Sequence, residues 1–94
     1  MILIKNSKEI KAGDVIVDKM NNGLDYGYVS RIIREGFAMT WRTNLPELIK
    51  DRHELRWHKK IPRMFRFPTF WINEKIKGKH FYKLTEKEVF TELL

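Results

Sequence analysis

The sequence predicts a mainly β protein with minor α content: a small antiparallel β-barrel or curled sheet carrying a short C-terminal helix. Three observations lead there. Short apolar runs with period-two patterning recur about every ten residues. Gly-bearing turns at Gly13, Gly23, Gly36 and Gly78 fall between them. Only the tail combines helical apolar spacing with a Thr-to-Glu cap signal.

Lys11-Ala12-Gly13-Asp14 is a turn that opens into Val15-Ile16-Val17, a β-branched run that reads as a strand. Asn21-Asn22-Gly23 is a loop whose residues tolerate positive φ. Tyr26 to Arg34 is the next strand. Its apolar positions, Val29 and then Ile32-Ile33, break strict alternation, which marks a bulge or twist. Glu35-Gly36 is a tight connection to a strand with Phe37, Met39 and Trp41 on one face and Ala38, Thr40 and Arg42 on the other. Residues 26–42 thus read as a hairpin.

Pro46 near a first turn suggests a short helical segment over residues 46–52. From His53 the period returns to two, with Leu55 and Trp57 opposite Arg56, His58 and Lys60. Pro62 and Pro68 interrupt, so residues 63–72 suit an edge strand or extended loop. Strand parity then buries Trp57, Phe65 and Phe67 and exposes Arg66. Lys77-Gly78-Lys79 is a turn before a short strand at residues 80–83. In the tail, Thr85 is an N-cap, Glu88 completes a capping box, and Leu84 with Val89 forms a hydrophobic staple. Val89/Leu93 and Phe90/Leu94 are i, i+4 pairs read as one apolar stripe.

The 94 residues suffice for one domain, 1–94, and 43% hydrophobic content provides a small core. No apolar stretch approaches the roughly 18 residues of a membrane span, and Met1-Ile2-Leu3-Ile4 is too short for a signal-peptide core. The expectation is a soluble, cytoplasmic protein that is not secreted. With no cysteine, thiolate nucleophiles and Cys-ligated zinc are excluded.

Residues 13–17, a polar loop, and then Gly27-Tyr28-Val29-Ser30-Arg31-Ile32 resemble the KOW motif of Src-homology-3-like barrels, found in ribosomal proteins and transcription-elongation factors. The match spans residues 13–32. The loop is Asn-rich where the family's is Lys-rich, and Gly23 precedes Gly27 by four residues where the family usually shows three. The resemblance implies a nucleic-acid or transcription-apparatus partner and no catalysis.

The residues themselves offer little for catalysis or metal binding. His53 and His58 are five apart, which places them on different faces of a helix or strand, and no zinc signature is present. Neither Ser7 nor Ser30 lies in a nucleophile elbow, and no phosphate-cradling Gly loop exists. Asp14, Asp18 and Asp25 approach one another across the first hairpin. Asp14 and Asp18 nevertheless read as ordinary solvent-face strand residues. The expectation is no enzyme activity, no cofactor, no metal and no small-molecule substrate.

Charge is the strongest functional signal. The net charge is +7, and residues 50–83 hold 11 Lys/Arg against 3 Asp/Glu. Such an excess attracts polyanions. The candidate nucleic-acid contacts are Arg56, His58, Lys59, Lys60, Arg63 and Arg66, with Lys77 and Lys79 extending the track. His58 adds a contact that strengthens as falling pH charges its ring. Because parity buries the aromatics, duplex is favoured over single strands. The competing readings are a merely solvated basic face and an acidic protein partner.

Phe70-Trp71-Ile72 cannot all point inward from a strand, so Trp71 is read as outward-facing. The C-terminal helix is one cover for these residues. The other use of Phe70 and Trp71 is as interface anchors. In that alternative the chain is a small regulatory protein, similar in style to those encoded by bacterial viruses. It would bind and modulate a larger host protein such as a transcription enzyme.

Overall fold

In the computed structural model, strand β2 (Val15–Met20) lies inside a six-stranded antiparallel sheet and explains the three-residue apolar run at its start. Val15 and Val17 point to one face and Ile16 to the other, and all three are buried because helices cover both faces. The structure describes residues 1–20, 22–58 and 64–93, the side chains at 56–58, 92 and 93 excepted.

The other strands are β1 (Ile2–Leu3), β3 (Gly23–Ile33), β4 (Gly36–Arg42), β5 (Phe65–Pro68) and β6 (Phe81–Leu84). Their spatial order is β1-β6-β2-β3-β4-β5, so β1 and β5 are edges and the curled sheet is not closed into a barrel. On one face, a 3-10 turn at Ser7–Glu9 and helix α2 (Thr69–Lys77) enclose Ile4, Ile10, Ile16, Val29, Phe37, Met39, Ile72 and Phe81. On the other, α1 (Leu45–His58) and α3 (Glu86–Leu93) enclose Val15, Val17, Tyr28, Leu45, Leu48, Leu84 and Val89. The stretch that resembles the KOW motif forms the β2–β3 hairpin, with Val15 opposite Tyr28 and Ile16 opposite Gly27.

The bulge legible in the sequence is real, and it sets the chemistry of one corner. Val29 pairs with Met39, but Arg31 pairs with Ala38, so Ser30 is the extra residue. Ser30 Oγ donates to the Ala38 carbonyl at 3.1 Å. Without the bulge, Arg31 would share a face with Val29. With it, Arg31 turns to the opposite face and joins Ala38.

Helix α1 is longer than the sequence suggests, and residues 53–58 are helical rather than a strand. Asn44 caps it, accepting from the Glu47 N–H at 2.9 Å. Its inward stripe is Leu45, Leu48, Arg52 and Leu55. Arg52 interrupts the apolar pattern, which is why the local alternation around Leu55 misleads. Asp51 is buried under Arg42, whose Nε donates to it at 2.7 Å. That bond and the nearby carboxylates raise the Arg42 pKa, holding the guanidinium charged.

Residues 69–72 are also helical, which reverses the expected order of the apolar triplet. A strand would turn Trp71 out; a helix rotates 100° per residue and turns Phe70 out instead. Phe70 is 71% exposed, Ile72 is fully buried, and Trp71 is half-buried. The Trp71 ring packs 4.9 Å from Phe67, 5.7 Å from Phe81 and 6.2 Å from Trp41. The C-terminal helix does not cover this triplet, because Val89 packs on the opposite face of the sheet. The Thr85 cap is as expected: Glu88 N–H donates to Thr85 Oγ1, and Thr85 N–H to Glu88, both at 3.1 Å. Phe90, however, is exposed and does not belong to the buried stripe of α3.

Candidate nucleic-acid interface

Among the described residues, three of the cations in residues 50–83 are neutralised by acids. Arg52 meets Glu86 at 2.9 Å, Lys75 meets Asp18 at 3.0 Å, and Lys83 meets Asp14 at 3.1 Å. Asp18 is therefore not a solvent-face residue. It is 4% exposed, with one oxygen on Lys75 and the other without a partner among the described residues. Its cross-strand neighbour is Asp25. Lys75 also lies over the Trp71 ring, 5.4 Å from its centroid.

The remaining predicted contacts divide by position. Arg56 and His58 are on the last turns of α1, and their side chains lie outside the described residues, as does the side chain of Trp57. Lys59, Lys60 and Arg63 lie outside the described residues altogether. Arg66 is exposed on edge strand β5. Lys77 and Lys79 are exposed at the turn from α2 into β6. There His80 Nδ1 lies 2.9 Å from the Lys19 carbonyl, and Lys19 sits over the Tyr82 ring. The sheet order separates β6 from β5 by four strand steps, about 19 Å at the usual spacing. Arg66 and the Lys77/Lys79 pair thus occupy different corners.

At the β5 corner the fold joins Arg66, a contact expected from the sequence, to Arg31 and Arg34, which were not expected. Arg31 on β3, Ala38 on β4 and Arg66 on β5 are directly paired across three strands. Side chains opposite one another in an antiparallel ladder share a face. Arg31 and Arg66 therefore flank buried Ala38 on one side of the sheet, about 10 Å apart at the backbone. Arg34, in the β3–β4 turn, adds a third exposed guanidinium. It lines a cleft of about 290 Å³ with Ile33, Glu35, Arg66, Phe67 and Pro68. Among the described residues Glu35 is the one acid in that lining, and none of the three arginines is ion-paired. The broken alternation at Val29 and Ile32 was the only sequence signal for this grouping.

The aromatics of β5 do not share one environment. Phe67 packs on Trp71 and on Trp41, the latter at 6.2 Å. Phe65, expected in the core, is 58% exposed. It shares a face with buried Met39, its partner on β4, but lies at the sheet edge beyond the aromatic cluster.

Acidic groups gather elsewhere. Asp25, Trp41, Arg42, Thr43 and Glu47 line a smaller cleft of about 190 Å³. Among the described residues no group of three or more His, Asp or Glu is placed to hold a metal ion, and no helix is long and apolar enough to cross a membrane. Comparison with protein-family models, curated proteins and solved structures gives no match to this chain.

Proposed function

We propose that this chain is a non-catalytic nucleic-acid-binding protein that engages phosphates through the arginine corner of β3 and β5. The observation that carries the reading is the Arg31–Ala38–Arg66 row with Arg34 beside it. Three exposed arginines share this corner without an ion pair among the described residues, on a chain of net charge +7. Guanidinium is suited to this role because its planar donor fork matches phosphate oxygens bidentately. The candidates Arg56, Lys59, Lys60 and Arg63 precede β5 directly in the sequence and would extend the same contact. Lys77 and Lys79 would form a separate, secondary one. The resemblance of residues 13–32 to the KOW motif points the same way. A cytoplasmic location suits such a protein.

Each phosphate neutralised on duplex DNA contributes about 0.9 to the slope of log affinity against log salt. The test is oligonucleotide binding by fluorescence anisotropy between about 50 and 200 mM salt, with wild type and Arg31→Gln/Arg66→Gln. The double variant should bind more weakly and lose roughly 1.8 from the duplex slope. Affinity that ignores salt refutes the reading.

The second reading, a regulatory protein docking on an acidic surface of a larger protein, has Phe70 in its favour. That ring points to solvent from a helix whose other apolar residues face the sheet. Trp71 belongs to the core cluster, so Phe70→Ala is the variant that tests an anchor without disturbing packing. Loss of a protein partner with unchanged oligonucleotide binding would select this reading.

A further inference from the structure

We infer that the nucleic acid is single-stranded and lies along the outer edge of β5, with a base stacked on Phe65; this inference rests on the nucleic-acid reading above. Three features of β5 carry it. The first is Phe65 itself, a 58% exposed ring on a four-residue edge strand whose other aromatic, Phe67, is held in the core. An exposed ring stacks only on a base that is free of its own stack, and duplex bases are not.

The second feature is the direction of the main chain. Thr69 N–H donates to the Glu35 carbonyl at 2.9 Å. Antiparallel ladder bonds recur at every second residue, so Phe67 and Phe65 exchange bonds with Phe37 and Met39. The N–H and C=O of Arg66 then point outward, away from β4. Pro68, the next outward-facing residue, has no N–H to offer a further strand. Among the described residues no strand pairs with this edge. Arg66 thus presents a main-chain donor and acceptor in addition to its guanidinium.

The third feature is the sorting of chemistry between the two sides. Successive strand residues point to opposite faces. Phe65 is on the α2 side, whereas Arg66 is on the other side with Arg31. A single strand straddling this edge would set a base against Phe65 and its phosphates against the two guanidiniums. Burial of the aromatics was the ground for favouring duplex, and at Phe65 that ground is absent.

The experiment compares three fluorescein-labelled probes at about 100 mM salt: a 12-nucleotide deoxythymidine strand, the same length of abasic strand, and a 12-base-pair duplex. Wild type should prefer the thymidine strand to both others. Phe65→Leu, which keeps apolar volume but removes the π face, should weaken the thymidine strand roughly 5- to 150-fold and leave the other two unchanged. Phe65→Trp should restore it. Thermal melts show whether each variant is folded, and the abasic probe, which reads only phosphates, serves as the internal control. A Phe65→Leu protein that binds all three probes like wild type, or wild type that prefers duplex, overturns stacking while the phosphate reading stands. Absence of binding to every probe overturns both.

Discussion

Replacing Gly36 by alanine should unseat β5 and with it the arginine corner. Gly36 does not have a positive φ; what it supplies is space. A Cβ there would lie 1.9 Å from the Phe67 carbonyl oxygen and 2.9 Å from its carbon and from Pro68 Cα. These are backbone atoms, so no side-chain rotation relieves the overlap. Restoring a contact of about 3.2 Å moves the edge strand by more than 1 Å, which stretches the nearest hydrogen bonds past useful length. Those bonds are the Phe37–Phe67 pair and Thr69 to Glu35, each worth about 1 kcal/mol net. Alanine returns about 0.4–1 kcal/mol by restricting the unfolded chain. The net loss is about 2 kcal/mol, or a fall of roughly 8–16 °C in Tm for a chain this size. Gly23→Ala is the internal control. It meets nothing within 4 Å and also has ordinary φ, so it should be neutral or slightly stabilising. Urea unfolding of the two variants measures the difference, and oligonucleotide anisotropy on Gly36→Ala should show weakened binding as Arg66 leaves Arg31. If Gly36→Ala unfolds at the same urea concentration as Gly23→Ala, the close approach of β4 and β5 is not as described.

The other predictions concern packing and charge. Lys75→Met strands the Asp18 carboxylate in the core and should cost about 3 kcal/mol, whereas Asp18→Leu/Lys75→Met should recover most of it in a double-mutant cycle. Thr85→Ala removes the α3 cap and should lower stability by about 1 kcal/mol in urea titration, without changing oligonucleotide affinity. Glu88 is held below its ordinary value of 4.5, first by the Met1 terminal ammonium and then by the Thr85 backbone N–H. A depressed carboxylate stabilises the fold above pH 4.5 and loses that contribution as pH falls through its folded value. Tm measured from pH 6 downward should therefore drop less steeply for Glu88→Gln than for wild type.

Local signals in this chain are legible where a few neighbouring residues carry the physics. The Val15-Ile16-Val17 strand, the 26–42 hairpin with its bulge, and the Thr85 capping box follow from backbone preference and hydrogen bonding within a short window. Where the period of burial decides the element, the local sequence misleads. Buried Asp51 and Arg52 hide the inward stripe of α1, because each is charged and is satisfied only by a distant partner, Arg42 or Glu86. Phe70-Trp71-Ile72 contains too few residues to separate a 180° from a 100° rotation, and only the aromatic cluster with Trp41 and Phe81 selects the helix.

The chain by itself determined its excess of positive charge, its lack of thiol chemistry, the antiparallel character of the sheet and the capped final helix. Tertiary structure decided which cations are free and which neighbours they keep. Lys75 and Lys83 are answered by aspartates far away in sequence, while Arg31 meets Arg66 because one extra residue at Ser30 inverts the phase of β3 and two ladders align it with β5. Charge is a property of composition, but an electrostatic surface depends on register, and register is fixed only when strands pair.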